Sequence, residues 1–131
     1  MFGDSQAFSG FSVDDLDAAR RFYGETLGLH VEETGQGDMR MLTLGLGSGA
    51  RVLVYPKESH TPASFTVLNF PVDDIDRAVG ALERAGVALE RYSGFDQDDK
   101  GVLRGGGGEG PAAIAWFTDP AGNVLSVIQE S

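Results

Sequence analysis

The stretch Phe11-Ser-Val-Asp-Asp-Leu-Asp-Ala-Ala19 returns later in the chain as Phe70-Pro-Val-Asp-Asp-Ile-Asp-Arg-Ala78, with six of nine positions identical and Leu16 exchanged for Ile75. Each copy closes a short apolar run and opens a pattern of helical period, so the repeated unit is a strand-to-helix junction. In the first copy Phe11 and Val13 fall on one face of a strand, with Phe8, Gly10 and Ser12 on the other. Asp15 suits a helix N-cap, because its carboxylate accepts from free N–H groups of the first turn. Asp14 and Asp17 flank it near the positive end of the helix dipole. Leu16, Ala19, Phe22 and Tyr23 make an apolar stripe, which predicts a helix from Leu16 to about Thr26 with Gly28 as its left-handed stop.

Three strands are expected next, over 29–34, 39–45 and 51–56, with glycine supplying the turns between them. Residues 57–63, which include Pro62, read as a connector. The second copy repeats the order: a strand over 64–72, a helix over 75–85 stopped by Gly86, and a strand over 87–92. A hairpin follows, 111–118 and 124–129, around the turn Asp119-Pro-Ala-Gly-Asn123. The fold class is therefore α+β: one domain over 1–131 built from two tandem modules, the first over about 7–56 and the second over 64–131.

The modules differ at 93–110, a long excursion with an acidic start at Asp96-Gln-Asp-Asp99 and glycine at Gly105 to Gly108. No Lys-Ser/Thr pair follows and no helix opens there, so the glycines do not build a phosphate-cradling loop. A loop of this length is expected to serve as a flap, with Phe95, Lys100 and Arg104 as its contact residues.

The absence of cysteine excludes disulfides, thiolate metal sites and cysteine nucleophiles. Twenty acidic against ten basic residues give a net charge of -10, which disfavours nucleic acid and anionic membrane surfaces as partners. No apolar run approaches the roughly 18 residues of a membrane span. The opening Met1-Phe-Gly-Asp-Ser5 has neither a basic nor an apolar stretch, so a cytoplasmic location is expected.

The repeated Val-x-Asp-Leu/Ile junction, the Phe22-Tyr23 helix ending at Leu27-Gly28-Leu29, and the Asp119-Pro-Ala-Gly-Asn123 turn together resemble the vicinal oxygen chelate superfamily. This group holds glyoxalase I, bleomycin-resistance proteins, fosfomycin-resistance enzymes and extradiol dioxygenases. The resemblance implies two βαβββ modules, a cupped mixed sheet with helices on its convex side, and frequent pairing into a homodimer. In metal-dependent members four side chains inside the cup hold a divalent ion. The matching positions here are Phe8, Leu53, Val67 and Ser126. Phe, Leu and Val have no donor atom for a first-row ion, so no metal and no cofactor is expected there. His30 and His60 have no spacing that sets both on one helix face, and Asp96, Asp98 and Asp99 lack the spacing of a calcium loop.

If Phe8 and Val67 face the cup, strand alternation brings Ser12, Asn69, Leu53, Tyr55 and Ser126 to the same face, together with Arg51. Trp116 and Phe117 must face opposite sides of their strand, so at most one of the two, expected to be Trp116, joins them unless the strand is bulged. An apolar and aromatic wall with a few neutral hydrogen-bonding groups suits a small organic ligand. The leading expectation is a metal-free protein that binds an aromatic or amphipathic compound, similar to bleomycin-resistance proteins, with long-range charge favouring a cationic one. The alternatives are a lyase, isomerase, epimerase or dioxygenase-related enzyme of the same superfamily, and a regulatory or interaction scaffold.

Overall fold

The computed structural model of the chain describes residues 1–105 and 110–130. They divide into two compact units, Met1–Pro62 and Ala63–Ser131. In the first, β1 (Ser9–Val13) leads to α1 (Leu16–Arg21), which runs on as a π-helical turn (Phe22–Thr26). Then come β2 (His30–Thr34), β3 (Met41–Gly45) and β4 (Arg51–Pro56). The sheet order is β1-β4-β3-β2, with β1 parallel to β4 and the other pairs antiparallel.

Period two sorts the strand residues as expected. Phe11, Val13, Leu42, Leu44, Val52 and Val54 are buried on one face, and the helix contributes Leu16, Ala19, Phe22 and Tyr23 to the same core. Each large apolar side chain removed from water in this way contributes about 1.5–3 kcal/mol. Asp15 caps α1, its carboxylate accepting from the Ala18 N–H at 3.0 Å. At its far end the helix widens: the Leu27 N–H donates to the Phe22 carbonyl at 2.9 Å, five residues back. Phe22 and Tyr23 are buried although they are adjacent in sequence, and the wider turn is where both enter the core. Gly28, at φ 74°, ends it.

The strand expected from residue 39 begins at Met41, because Gly37–Met39 form a 3-10 turn. Gly35 sits at φ 80°, and a Cβ there would meet the Met39 carbonyl oxygen at 2.0 Å, so the turn closes against its own backbone. Arg40 ties this edge to the helix, donating to Asp17 Oδ1 at 2.7 Å and to both Glu33 oxygens at 3.1 Å. Its hydrogen bonds hold the Asp17 and Glu33 carboxyls below their ordinary range.

The second unit repeats the topology. It has β5 (Thr66–Pro71), α2 (Ile75–Arg84), β6 (Leu103–Arg104), β7 (Pro111–Thr118) and β8 (Val124–Glu130), in the sheet order β5-β8-β7-β6 with β5 parallel to β8. Asp74 caps α2 as Asp15 caps α1, accepting from the Asp76 and Arg77 N–H groups at 3.1 Å. Gln129 on β8 accepts from the Ile75 N–H at 2.8 Å and fixes the helix start to the sheet. Ile75, Val79 and Leu82 pack over Ala113, Ala115, Phe117, Leu125 and Val127.

The strand expected over 87–92 is corrected by the structure. Only Leu89 bridges to Phe117 there, with the Glu90 N–H donating to the Trp116 carbonyl. The edge position beside β7 is shared with β6, whose Leu103 and Arg104 pair with Ile114 and Ala113. The excursion is thus inserted within an edge strand and splits it. Gln97 supplies the reason: its side chain accepts from the Tyr92 N–H at 2.8 Å and donates to the Glu90 carbonyl at 3.0 Å and the Gly101 carbonyl at 2.7 Å. A side-chain amide takes backbone groups that a continuous ladder would use. Among the described residues no helix is long and apolar enough to cross a membrane.

Candidate functional site

The face of each sheet turned away from its helix carries the candidate residues, and each unit presents its own. In the first, Gly10 lies opposite Leu53, Ser12 opposite Tyr55, and Leu53 also faces Thr43. Phe8 continues the alternation just before β1 and is 51% exposed; Tyr55 is 39% exposed. The Arg51 guanidinium lies over the Phe8 ring, its carbon 4.3 Å from the ring centroid. Ser12 and His60 come together, Oγ to Nδ1 at 2.7 Å, in a hydrogen bond whose donor depends on the ring tautomer. That contact joins residues 48 apart in sequence, and no local pattern announces it.

In the second unit Asn69 lies opposite Ser126, and Ser126 opposite Trp116. Ser126 is fully buried and its hydroxyl donates to Asn69 Oδ1 in a short contact. Val67 sits in a β-bulge between Thr66 and Leu68, which takes it out of simple alternation. Trp116 shares this face with Ser126, whereas Phe117 is buried in the core. Trp116 is covered by its own unit: Phe95 stacks on it at 5.3 Å and 15°, and Tyr92 meets it edge-on at 5.5 Å. Phe95 remains half exposed. Burial, and secondarily the Glu90 carboxylate, raises the Tyr92 phenol above its ordinary value, so it stays a neutral hydroxyl at neutral pH.

The described part of the 93–110 excursion is folded onto its unit. Asp98 accepts from the Lys100 and Val102 N–H groups at 2.9 Å, Val102 is fully buried, and Arg104 reaches both Asp98 and Asp76 on α2. Lys100 is exposed. Gly106 to Gly108, expected as the flexible part of a flap, lie outside the described residues. The Val102 hydrogen bond foremost, then that of Lys100 and the Arg104 guanidinium, hold Asp98 below its ordinary value of 3.8. A carboxyl lowered by folding stabilises the fold above its ordinary value, and that contribution is lost as pH falls through the lower native one. Carbon NMR of the Asp98 carboxyl should therefore show titration below 3.8, with the Val102 amide shift moving in step. Titration at or above that value would mean the carboxylate does not hold the loop.

The four residues that the sequence resemblance matches to metal-ligand positions, Phe8, Leu53, Val67 and Ser126, do not offer a donor set for an ion. Phe8 offers a ring beneath the Arg51 guanidinium, Leu53 and Val67 offer hydrocarbon, and the Ser126 hydroxyl is already engaged with Asn69. Among the described residues no three His, Asp or Glu side chains converge as a metal site. Two grooves of ≈ 510 and ≈ 610 Å³ border α1 and its flanking turns, away from the open sheet faces.

Comparison with known proteins agrees with this architecture. No curated protein matches the sequence. Among solved structures, TnmS3, an antibiotic binding protein from Streptomyces sp. CB03234, is 24% identical at a TM-score of 0.68, over 95% of this chain and 93% of that one. A glyoxalase/bleomycin resistance protein from the same organism is 25% identical at a TM-score of 0.62, over 94% of this chain and 100% of that one. A superfamily member from Sphaerobacter thermophilus is 23% identical at a TM-score of 0.67, over 94% of each. A family model matches residues 7–127, both copies of the repeat included, and the chain belongs to the Glyoxalase/Bleomycin resistance protein/Dioxygenase superfamily.

Proposed function

We propose that this chain is a metal-free small-molecule binding protein that holds an aromatic or amphipathic compound against its open sheet faces. The observation that carries this reading is the replacement of donor atoms by aromatic surface. Phe8 stands at one ligand position beside Arg51, and Trp116, sheathed by Phe95 and Tyr92, lies across the strand from another, Ser126. Ser12, Tyr55 and Asn69 add neutral polar groups that orient a ligand without ionising it. The likeness in fold to an antibiotic binding protein supports the same direction. A homodimer belongs to this reading, supported by large apolar side chains left exposed, Phe65 and Met39 among them.

Calorimetric titration with polycyclic aromatic compounds in the presence of EDTA tests the proposal. Saturable binding is expected, and Phe95→Ala should weaken it by up to about tenfold, since one aromatic contact contributes about 0.5–1.5 kcal/mol beyond its area. No binding to any compound, or binding that needs added Zn²⁺ or Ni²⁺, would overturn the reading.

A further inference from the structure

A groove of ≈ 460 Å³ runs between Gln6–Phe8 and the β3–β4 turn at Ser48–Arg51. By strand register Arg51 is the one lysine or arginine on either open face among the described residues; Arg104 lies opposite Ala113 and reaches across to α2 instead. Arg51 shares the absence of an ion pair with Arg20, Arg21, Arg77, Arg84 and Arg91 among the described residues; what sets it apart is its place on an open sheet face, beside a half-exposed aromatic ring and at the edge of a groove.

The contact with Phe8 sets the geometry. The guanidinium carbon lies over the Phe8 ring, a contact that engages none of the Arg51 N–H donors in a hydrogen bond, and these form the fork that a carboxylate takes bidentately. Phe8, half exposed, offers ring surface to the apolar part of the same ligand. Gln6 and Ser48 complete the rim with neutral polar groups. Repulsion from the rest of the chain is screened over about 8 Å at physiological salt, while the Arg51 contact acts at hydrogen-bond distance.

We propose that this groove seats the anionic group of an aromatic ligand, with Arg51 holding the charge and Phe8 the ring. The proposal rests on the ligand-binding reading and names its ligand class, an aromatic acid rather than the cationic compound that net charge favours.

The test compares naphthoate, naphthamide and naphthylmethylammonium by calorimetry against the parent chain and its variants. The acid should bind about tenfold tighter than the amide, and the ammonium more weakly than both, as a charge-assisted pair requires. Arg51→Gln should bring acid and amide within about twofold. Arg51→Lys should keep part of the preference by retaining charge without the fork. Phe8→Leu should weaken acid and amide alike. Equal binding of acid and amide by the parent, or an undiminished preference in Arg51→Gln, would sink the anion seat and leave the ligand-binding reading standing. Failure of all three probes to bind would sink both.

Discussion

Replacing Tyr23 with alanine should remove about 3–5 kcal/mol of stability, as deletion of a buried aromatic ring does. A domain of ordinary stability has about 5–15 kcal/mol in all. The ring is fully buried in the first unit, 5.9 Å from Phe11 and 5.1 Å, edge-on, from Phe22. Its neighbours belong to a strand and to a widened helical turn, and the turn also closes through the Leu29 N–H on the Tyr23 carbonyl, so little can move in to fill the space. Urea denaturation followed by circular dichroism measures the loss. Tyr23→Phe, which keeps the ring, should cost only about 0.5–1.5 kcal/mol. Near-equal stability of the alanine variant and the parent would mean that the first core is not built on this residue.

Asp119→Ala should be the second large effect, at about 2–3 kcal/mol, because removing a buried acceptor leaves its donors without one. The Asp119 carboxylate is buried and accepts from the Ala121 N–H at 3.0 Å, the Asn123 N–H at 2.8 Å and the Asn123 side-chain amide at 3.1 Å. The turn also sets the register of β7 against β8, which places Trp116 opposite Ser126. Asp119→Asn keeps one acceptor oxygen and should lose about half as much. Thermal melts of both variants separate the outcomes: equal loss in the two would assign the effect to charge rather than to the pattern of acceptors.

Much of this architecture was legible in the residues. The duplicated junction announced two modules, Asp15 and Asp74 cap their helices, and strand alternation separated Val54 from Tyr55 and set Trp116 and Phe117 on opposite faces without saying which was which. Failures occurred where a side chain competes with backbone or where contact is remote. Residues 87–92 have strand character, yet Gln97 captures the groups around Glu90 and Tyr92, so the edge is divided with β6. The helix through Phe22 keeps its apolar stripe while its hydrogen bonds change spacing, and hydrophobic period is blind to that change. At the open faces the residue types and their alternation were readable. The proximity of His60 to Ser12 and the placing of Arg51 over Phe8 were not, since both depend on contacts between segments far apart in sequence.

Trp116 is the chain's single tryptophan, and its aromatic neighbours Tyr92 and Phe95 belong to the same half. Indole emission therefore follows one product of the duplication, while far-ultraviolet ellipticity follows both. Coincident melting curves from the two signals would describe halves fused into one cooperative body. A gap between them would show that each copy still unfolds on its own terms.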